Sequence, residues 1–298
     1  MHVDSSISGR RVVTQVTQFH TGAQTDIRSN DQSLLCEIEE ANQGVSSKLF
    51  LAKTSSSQEW KAVAAAVKTL VEEATFDATT EGLTFRAMDP SHVALVDLLM
   101  PNSSFEKYEA ERPFKFSLRV EDLVKLIGRS DTHDSVEIAA GEEEAIRVTL
   151  KNGYKREFSV HLIESTGGTA PLPKLEFDTK VTLTKSIFEK LLSDISVVSD
   201  QVTIQASKDR LSFSGKSDVG KADISLDKTD ADVLDLQVGA ESKATYSIDY
   251  LMGISKAMGG VSDTLLAEFS TKKPIRLEFK LNDQGARIHY FLAPRVTD

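Results

Sequence analysis

A single cysteine, Cys36, stands in a chain of 298 residues. That excludes an internal disulfide framework and any cysteine-based metal cluster, and a reducing intracellular setting is the simple reading. The six histidines, at 2, 20, 92, 133, 161 and 289, show none of the spacings that bring two ligands to one zinc ion, so no metal or other cofactor is expected. No glycine-rich loop followed by Lys-Ser or Lys-Thr is present to cradle a phosphate. No nucleophile elbow occurs. Asp200, Asp209, Asp218 and Asp223 are scattered rather than paired, which leaves a two-carboxylate mechanism without support. Ser91-His92 follows Asp89-Pro90 and reads as a turn with His92 on the surface, not as a hydrolase pair. No apolar run is long enough to span a bilayer. The apolar core of a secretory signal is missing near the start, and Asp4, Asp26 and Asp31 argue against a transit-peptide reading of Arg10 and Arg11. A net charge of −10 argues against a surface that coats nucleic acid all round, while leaving room for one basic face on an acidic body.

What the chain does have is a likeness to itself. At an offset of 128, Trp60, Val63, Ala64, Val67 and Leu70 fall on Phe188, Leu191, Leu192, Ile195 and Val198. Ala78, Leu83 and Phe85 fall on Ala206, Leu211 and Phe213, and Val96 and Leu98 on Ile224 and Leu226. Val120, Leu123 and Leu126 fall on Ile248, Leu251 and Ile254. By the last strands the offset has grown to 130, with Phe158, Val160 and Leu162 on Ile288, Tyr290 and Leu292. Two copies of this length are too long for a solenoid repeat, so the chain reads as a duplicated domain. The expected boundaries are an extension over 1–45 with the composition of disorder, a first domain over 46–163, a connector over 164–176 and a second domain over 177–298. The connector carries two glycines and two prolines between Glu164 and Lys174, the make-up of a segment laid over a surface.

Within the first copy, residues 57–73 show helical spacing, and Glu121–Arg129 is a second short helix. Strands are expected over 74–80, 82–88, 93–100, 136–140, 145–150 and 155–163. Turns are expected at Thr80-Glu81-Gly82 and Asn152-Gly153, with Glu142-Glu143-Glu144 at a solvated tip. The second copy repeats the order, with helices at 185–198 and 248–258. Antiparallel sheets with helices on one face make this an α+β fold. All four helices carry cations off their apolar stripes: Lys61 and Lys68, Lys125 and Arg129, Lys185 and Lys190, and Lys256. Glu72, Glu121, Asp122, Asp194 and Asp249 share those helices, so attraction for a polyanion would be modest.

Two motifs carry a resemblance. Phe85-Arg-Ala-Met-Asp-Pro-Ser-His-Val-Ala-Leu-Val96 resembles the Met-Asp-x-Ser-His-Val-x-Leu-Val segment of sliding clamps of the PCNA type, and Tyr290-Phe-Leu-Ala-Pro-Arg-Val296 resembles their Tyr-Leu-Ala-Pro-Lys-Ile ending. The likeness runs from Lys48 to Thr297 and has the texture of an archaeal member. It implies two domains of one topology, three chains closing into a ring, helices lining the hole and duplex DNA inside. It implies Lys61, Lys68, Lys125, Arg129, Lys190 and Lys256 facing DNA. Ala62, Gly128 and Ser193 depart from the basic residues of some relatives. A pocket of Met88, His92, Val93, Leu95, Leu172, Pro274, Ala293 and Pro294 would take short glutamine–aliphatic–aromatic peptides from DNA polymerase, clamp loader, flap endonuclease and DNA ligase. Phe158 and Val160 would meet Ile224 and Leu226 of the next subunit of a homotrimer. No catalysis of its own is implied, and the location is cytoplasmic for an archaeal protein, nuclear for a eukaryotic one. Two alternatives stand beside this: a subunit of a heterotrimeric or checkpoint-type clamp, and a duplicated α+β enzyme with a site between domains.

Overall fold

The apolar positions that recur along the sequence become the buried faces of helices and strands in a computed structural model, which describes residues 49–141, 144–164 and 170–296. The expected extension over 1–45, the Glu142-Glu143 tip and the middle of the connector lie outside the described residues. The first copy runs β1 (Phe50–Thr54), α1 (Gln58–Lys68), β2 (Glu73–Thr79), β3 (Gly82–Met88), β4 (Ala94–Pro101), β5 (Lys107–Ala110), β6 (Phe114–Arg119), α2 (Val120–Ile127), β7 (Ser135–Ala140), β8 (Ala145–Asn152) and β9 (Tyr154–His161). The second repeats that order: β10 (Thr179–Thr184), α3 (Lys185–Ser196), β11 (Gln201–Ser207), β12 (Arg210–Lys216), β13 (Lys221–Asp227), β14 (Val233–Val238), β15 (Ser242–Ser247), α4 (Ile248–Ala257), β16 (Thr264–Phe269), β17 (Ile275–Lys280) and β18 (Arg287–Leu292).

Among the described residues each copy thus holds two α-helices and nine strands, and the first has three strands more than periodicity announces. The unannounced ones have physical reasons to be quiet. Phe50, Leu51 and Ala52 in β1 are all buried, so no polar alternation marks the strand. β5 is four residues long. β6 runs into α2 with no turn residue between Arg119 and Val120. The expected helix over 57–73 stops at Lys68, with Glu59 in its first turn and Lys68 in its last, both favourable to the helix dipole. The turn before β3 needs its glycine. Gly82 sits at φ 144°, and a Cβ there would run into the carbonyl of Met100.

The described strands form three antiparallel sheets. One has nine strands, in the order β14-β10-β16-β17-β18-β4-β3-β2-β6. Its first five strands come from the second copy and its last four from the first. The seam is the pairing of β18 with β4, where Ile288 lies opposite Leu98, Tyr290 opposite Val96 and Leu292 opposite Ala94. The other two sheets, β5-β1-β7-β8-β9 and β13-β12-β11-β15, are the counterparts of those two halves, unjoined. The helices cover the inner faces of the sheets, with Trp60, Phe188, Leu123 and Leu251 buried among strand residues such as Phe76 and Phe213.

Candidate nucleic-acid and protein-binding surfaces

The turn between β3 and β4 is built around one carboxylate. Asp89 is buried and accepts from the backbone N–H groups of Ser91 at 3.2 Å, Val93 at 2.8 Å and Ala94 at 2.7 Å. A fourth bond comes from the Tyr250 hydroxyl on α4, at 3.1 Å. Burial raises the Tyr250 pKa, and the bond to Asp89 raises it further. This frame holds His92, exposed, at φ 60°, a left-handed conformation that an unsupported histidine rarely adopts.

The chain's end is brought beside that turn by the sheet. Leu292 pairs with Ala94 and Phe291 with Leu95, and past the strand the Ala293 N–H donates to the Val93 carbonyl at 2.8 Å. Ile275 pairs with Leu292, which sets Pro274 next to Ala293. Met88 pairs with Leu95. Backbone pairing therefore gathers Met88, His92, Val93, Leu95, Pro274, Ala293 and Pro294 at one end of the seam. Leu172 lies in the connector with 43% of its surface exposed. Cations contact the connector and the residue that follows it: Arg86 donates to the Ala170 carbonyl at 3.5 Å, Lys273 donates to the Glu176 carbonyl at 3.2 Å, and the Arg276 guanidinium lies over the Phe177 ring.

Alongside runs a ladder of charge that the sequence patterns did not single out. His289 on β18 reaches Glu278 on β17 at 2.8 Å and Asp97 on β4 at 3.5 Å. Arg86 on β3 donates to Asp97 at 2.7 Å. Burial lowers the His289 pKa, but its hydrogen bonds to Asp97 and Glu278 outweigh that and leave it above the usual histidine value. Burial likewise raises Asp97, and the bonds from His289 and Arg86 more than reverse it. The bond from His289 holds Glu278 below its usual value, against the opposing effect of burial. One signal in the sequence was available: an acid inside the apolar run Ala94-Leu-Val-Asp97-Leu-Leu-Met100 needs a partner when buried.

The six cations expected to face DNA divide. Lys61, Lys68 and Lys256 line one crevice between α1, α2 and α4. Lys61 donates from Nζ to the Ser130 carbonyl at 2.7 Å. Lys125 and Arg129 line a different groove, between α2 and β9, and Lys125 pairs with Glu121 one turn away at 2.7 Å. Lys190 is exposed on α3. Phe158 and Val160 lie half-buried on β9, and Ile224 and Leu226 half-buried on β13. Both strands end their sheets, and along both, half-buried residues alternate with exposed ones.

Family models for proliferating cell nuclear antigen match nearly all of the described chain. The N-terminal domain model covers residues 49–164 and the C-terminal domain model residues 171–295. The chain belongs to the proliferating cell nuclear antigen family. It is 47% identical over 248 residues to a protein named DNA polymerase sliding clamp from Cenarchaeum symbiosum, spanning 83% of this chain and 99% of that one. To the protein of the same name from Nitrosopumilus maritimus it is 47% identical over 83% of this chain and 98% of the relative. Among solved structures, the PCNA2–PCNA3 complex from Sulfolobus tokodaii matches with a TM-score of 0.76 at 28% identity, over 82% of this chain and 99% of that one. The family fold accounts for the two like halves and for the seam between them. Among the described residues, no group of three or more histidines, cysteines or carboxylates could hold a metal ion, and no helix is long and apolar enough to cross a membrane.

Proposed function

We propose that this protein is a DNA polymerase sliding clamp that closes as a ring of three identical chains around duplex DNA and performs no catalysis. The observation that carries this reading is that β9 and β13 each end a sheet among the described residues, although their counterparts in the repeat are paired. An unpaired edge strand is a template for another strand, and these two are the counterparts of β18 and β4, which do pair. Carrying the seam's register across by the repeat sets Val160 opposite Ile224 and Phe158 opposite Leu226 of the next subunit. The contact is head to tail, so it must close by rotation.

Inside the ring, Lys61, Lys68, Lys125 and Lys256 would meet phosphates without reading sequence. A topological link tolerates contacts that are individually weak, and weak contacts permit sliding. The cluster of Met88, His92, Val93, Leu95, Leu172, Pro274, Ala293 and Pro294 would take the short glutamine–aliphatic–aromatic peptides of polymerase, clamp loader, flap endonuclease and ligase. Tethering then raises the effective concentration of each enzyme at DNA. The working compartment is the cytoplasm of an archaeal cell. The test is primer extension on a linear primed template, whose free end a ring can thread, by a polymerase bearing such a peptide. Longer products per binding event are expected, and no lengthening at saturating protein would refute the clamp reading.

A further inference from the structure

We propose that the cations bordering the candidate peptide pocket form a second contact surface, which selects partner peptides with acidic residues beside their glutamine–aliphatic–aromatic core. This rests on the pocket reading above and names the chemistry of the partner segment that lies outside the pocket.

The surface is assembled from four separate segments. Lys174 comes from the connector, Lys243 from the start of β15, Lys272 and Lys273 from the turn between β16 and β17, and Arg295 from the chain beyond β18; all five are exposed. Hydrogen bonds to the backbone bring them to one place. The Lys272 N–H donates to the Lys243 carbonyl at 3.2 Å, and the Lys243 N–H to the Thr271 hydroxyl at 3.1 Å. The Tyr246 hydroxyl donates to the Lys273 carbonyl at 2.9 Å, and the Arg295 N–H to the Thr245 carbonyl at 2.7 Å, so adjacent residues of β15 hold both. Lys174 and Lys273 line one cavity of about 440 Å³ with Leu175 and Glu176. Lys273 precedes Pro274 and Arg295 follows Pro294, and both prolines belong to the pocket. The cations therefore border the pocket rather than fill it.

Their lack of ion pairs sets them apart from cations on the same sheet. Arg86 pairs with Asp97, and Arg276 and Lys180 both pair with Glu268. Asp97 and Glu268 are buried, so the sheet face answers its own positive charge. Among the described residues, Lys174, Lys243, Lys272, Lys273 and Arg295 make no ion pair. Glu176, Asp178 and Glu241 lie on the same segments and pair with none of them. A chain of net charge −10 repels acidic segments over much of its surface. Unneutralised cations at the edge of the pocket reverse that locally. An acidic flank gains there, and a basic flank meets like charge, which is how an interface discriminates between partners that share one core.

The test is calorimetry of the full-length protein with three peptides. They share one glutamine–aliphatic–aromatic core and are flanked on both sides by glutamates, by serines or by lysines. The glutamate-flanked peptide should bind about tenfold tighter than the lysine-flanked one at low salt, and the gap should close as salt rises. Lys243→Glu with Lys272→Glu should reverse that order, which loss of folding alone does not do. Equal affinities, or a preference for glutamates that survives the double variant, overturn this inference while leaving the pocket reading intact. A double variant that loses affinity for duplex DNA, with the order of the peptides unchanged, assigns the patch to nucleic acid and overturns it too. Failure of all three peptides to bind overturns both readings.

Discussion

The Tyr250 hydroxyl on α4, in the second copy, donates to the Asp89 carboxylate in the first, at 3.1 Å. Asp89 in turn holds three backbone N–H groups of the turn that presents His92. One hydrogen bond thus joins the helix that carries Lys256 to the loop proposed to meet partner peptides. Tyr250→Phe removes that bond and leaves the ring in place. Unfolding free energy should fall by about 1 kcal/mol. Peptide affinity, read by calorimetry, should fall with it, and an unaltered affinity would separate Tyr250 from the pocket.

The His289 bridge predicts a pH dependence whose sign can be worked out. His289 binds its proton more tightly folded than unfolded. Its contribution is therefore fully present below the unfolded value of about 6.5 and is lost as pH rises through the higher folded value. Asp97 and Glu278 are shifted down, so theirs is present above their unfolded values, about 3.9 and 4.3, and is lost as pH falls through the folded ones. The seam is best held between these limits. The loss of urea stability in His289→Gln should be largest near pH 5.5 and shrink toward pH 8. A loss that does not vary with pH would mean the ring acts by packing alone.

Edge pairing makes Phe158 and Ile224 the test of ring closure. Each forfeits about 1.5–3 kcal/mol of burial if cut to alanine in a closed ring. The double variant Phe158→Ala with Ile224→Ala should run as a single chain in sedimentation at concentrations where the wild type is a ring. A double variant that still sediments as the ring would place the interface elsewhere.

Lys61 and Lys68 share the crevice beside α4 but differ in circumstance. Lys61 is half-buried and bonded to the Ser130 carbonyl, while Lys68 is exposed at the end of α1. Lys68→Glu should therefore shorten polymerase products more than Lys61→Glu, and both effects should fade as salt rises. Equal shortening by the two would show that the bond to Ser130 does not restrain Lys61 on DNA.

The sequence by itself determined that there are two like units, and which residues lie in each core. That information is carried by apolar periodicity, which is local and survives duplication at an offset of 128. It also determined the two motifs, Met88–Val96 and Tyr290–Val296, because their chemistry is written in contiguous residues. The tertiary structure decided what contiguous residues do not record: that His289 bridges Asp97 and Glu278, that Tyr250 braces Asp89, and that Lys61 and Lys125 line different grooves. It also decided which edges are paired. β18 and β9 are equivalent in sequence, as are β4 and β13, yet only β18 and β4 meet within one chain. Pairing depends on which edges the connectivity brings together, and no residue in either strand records that.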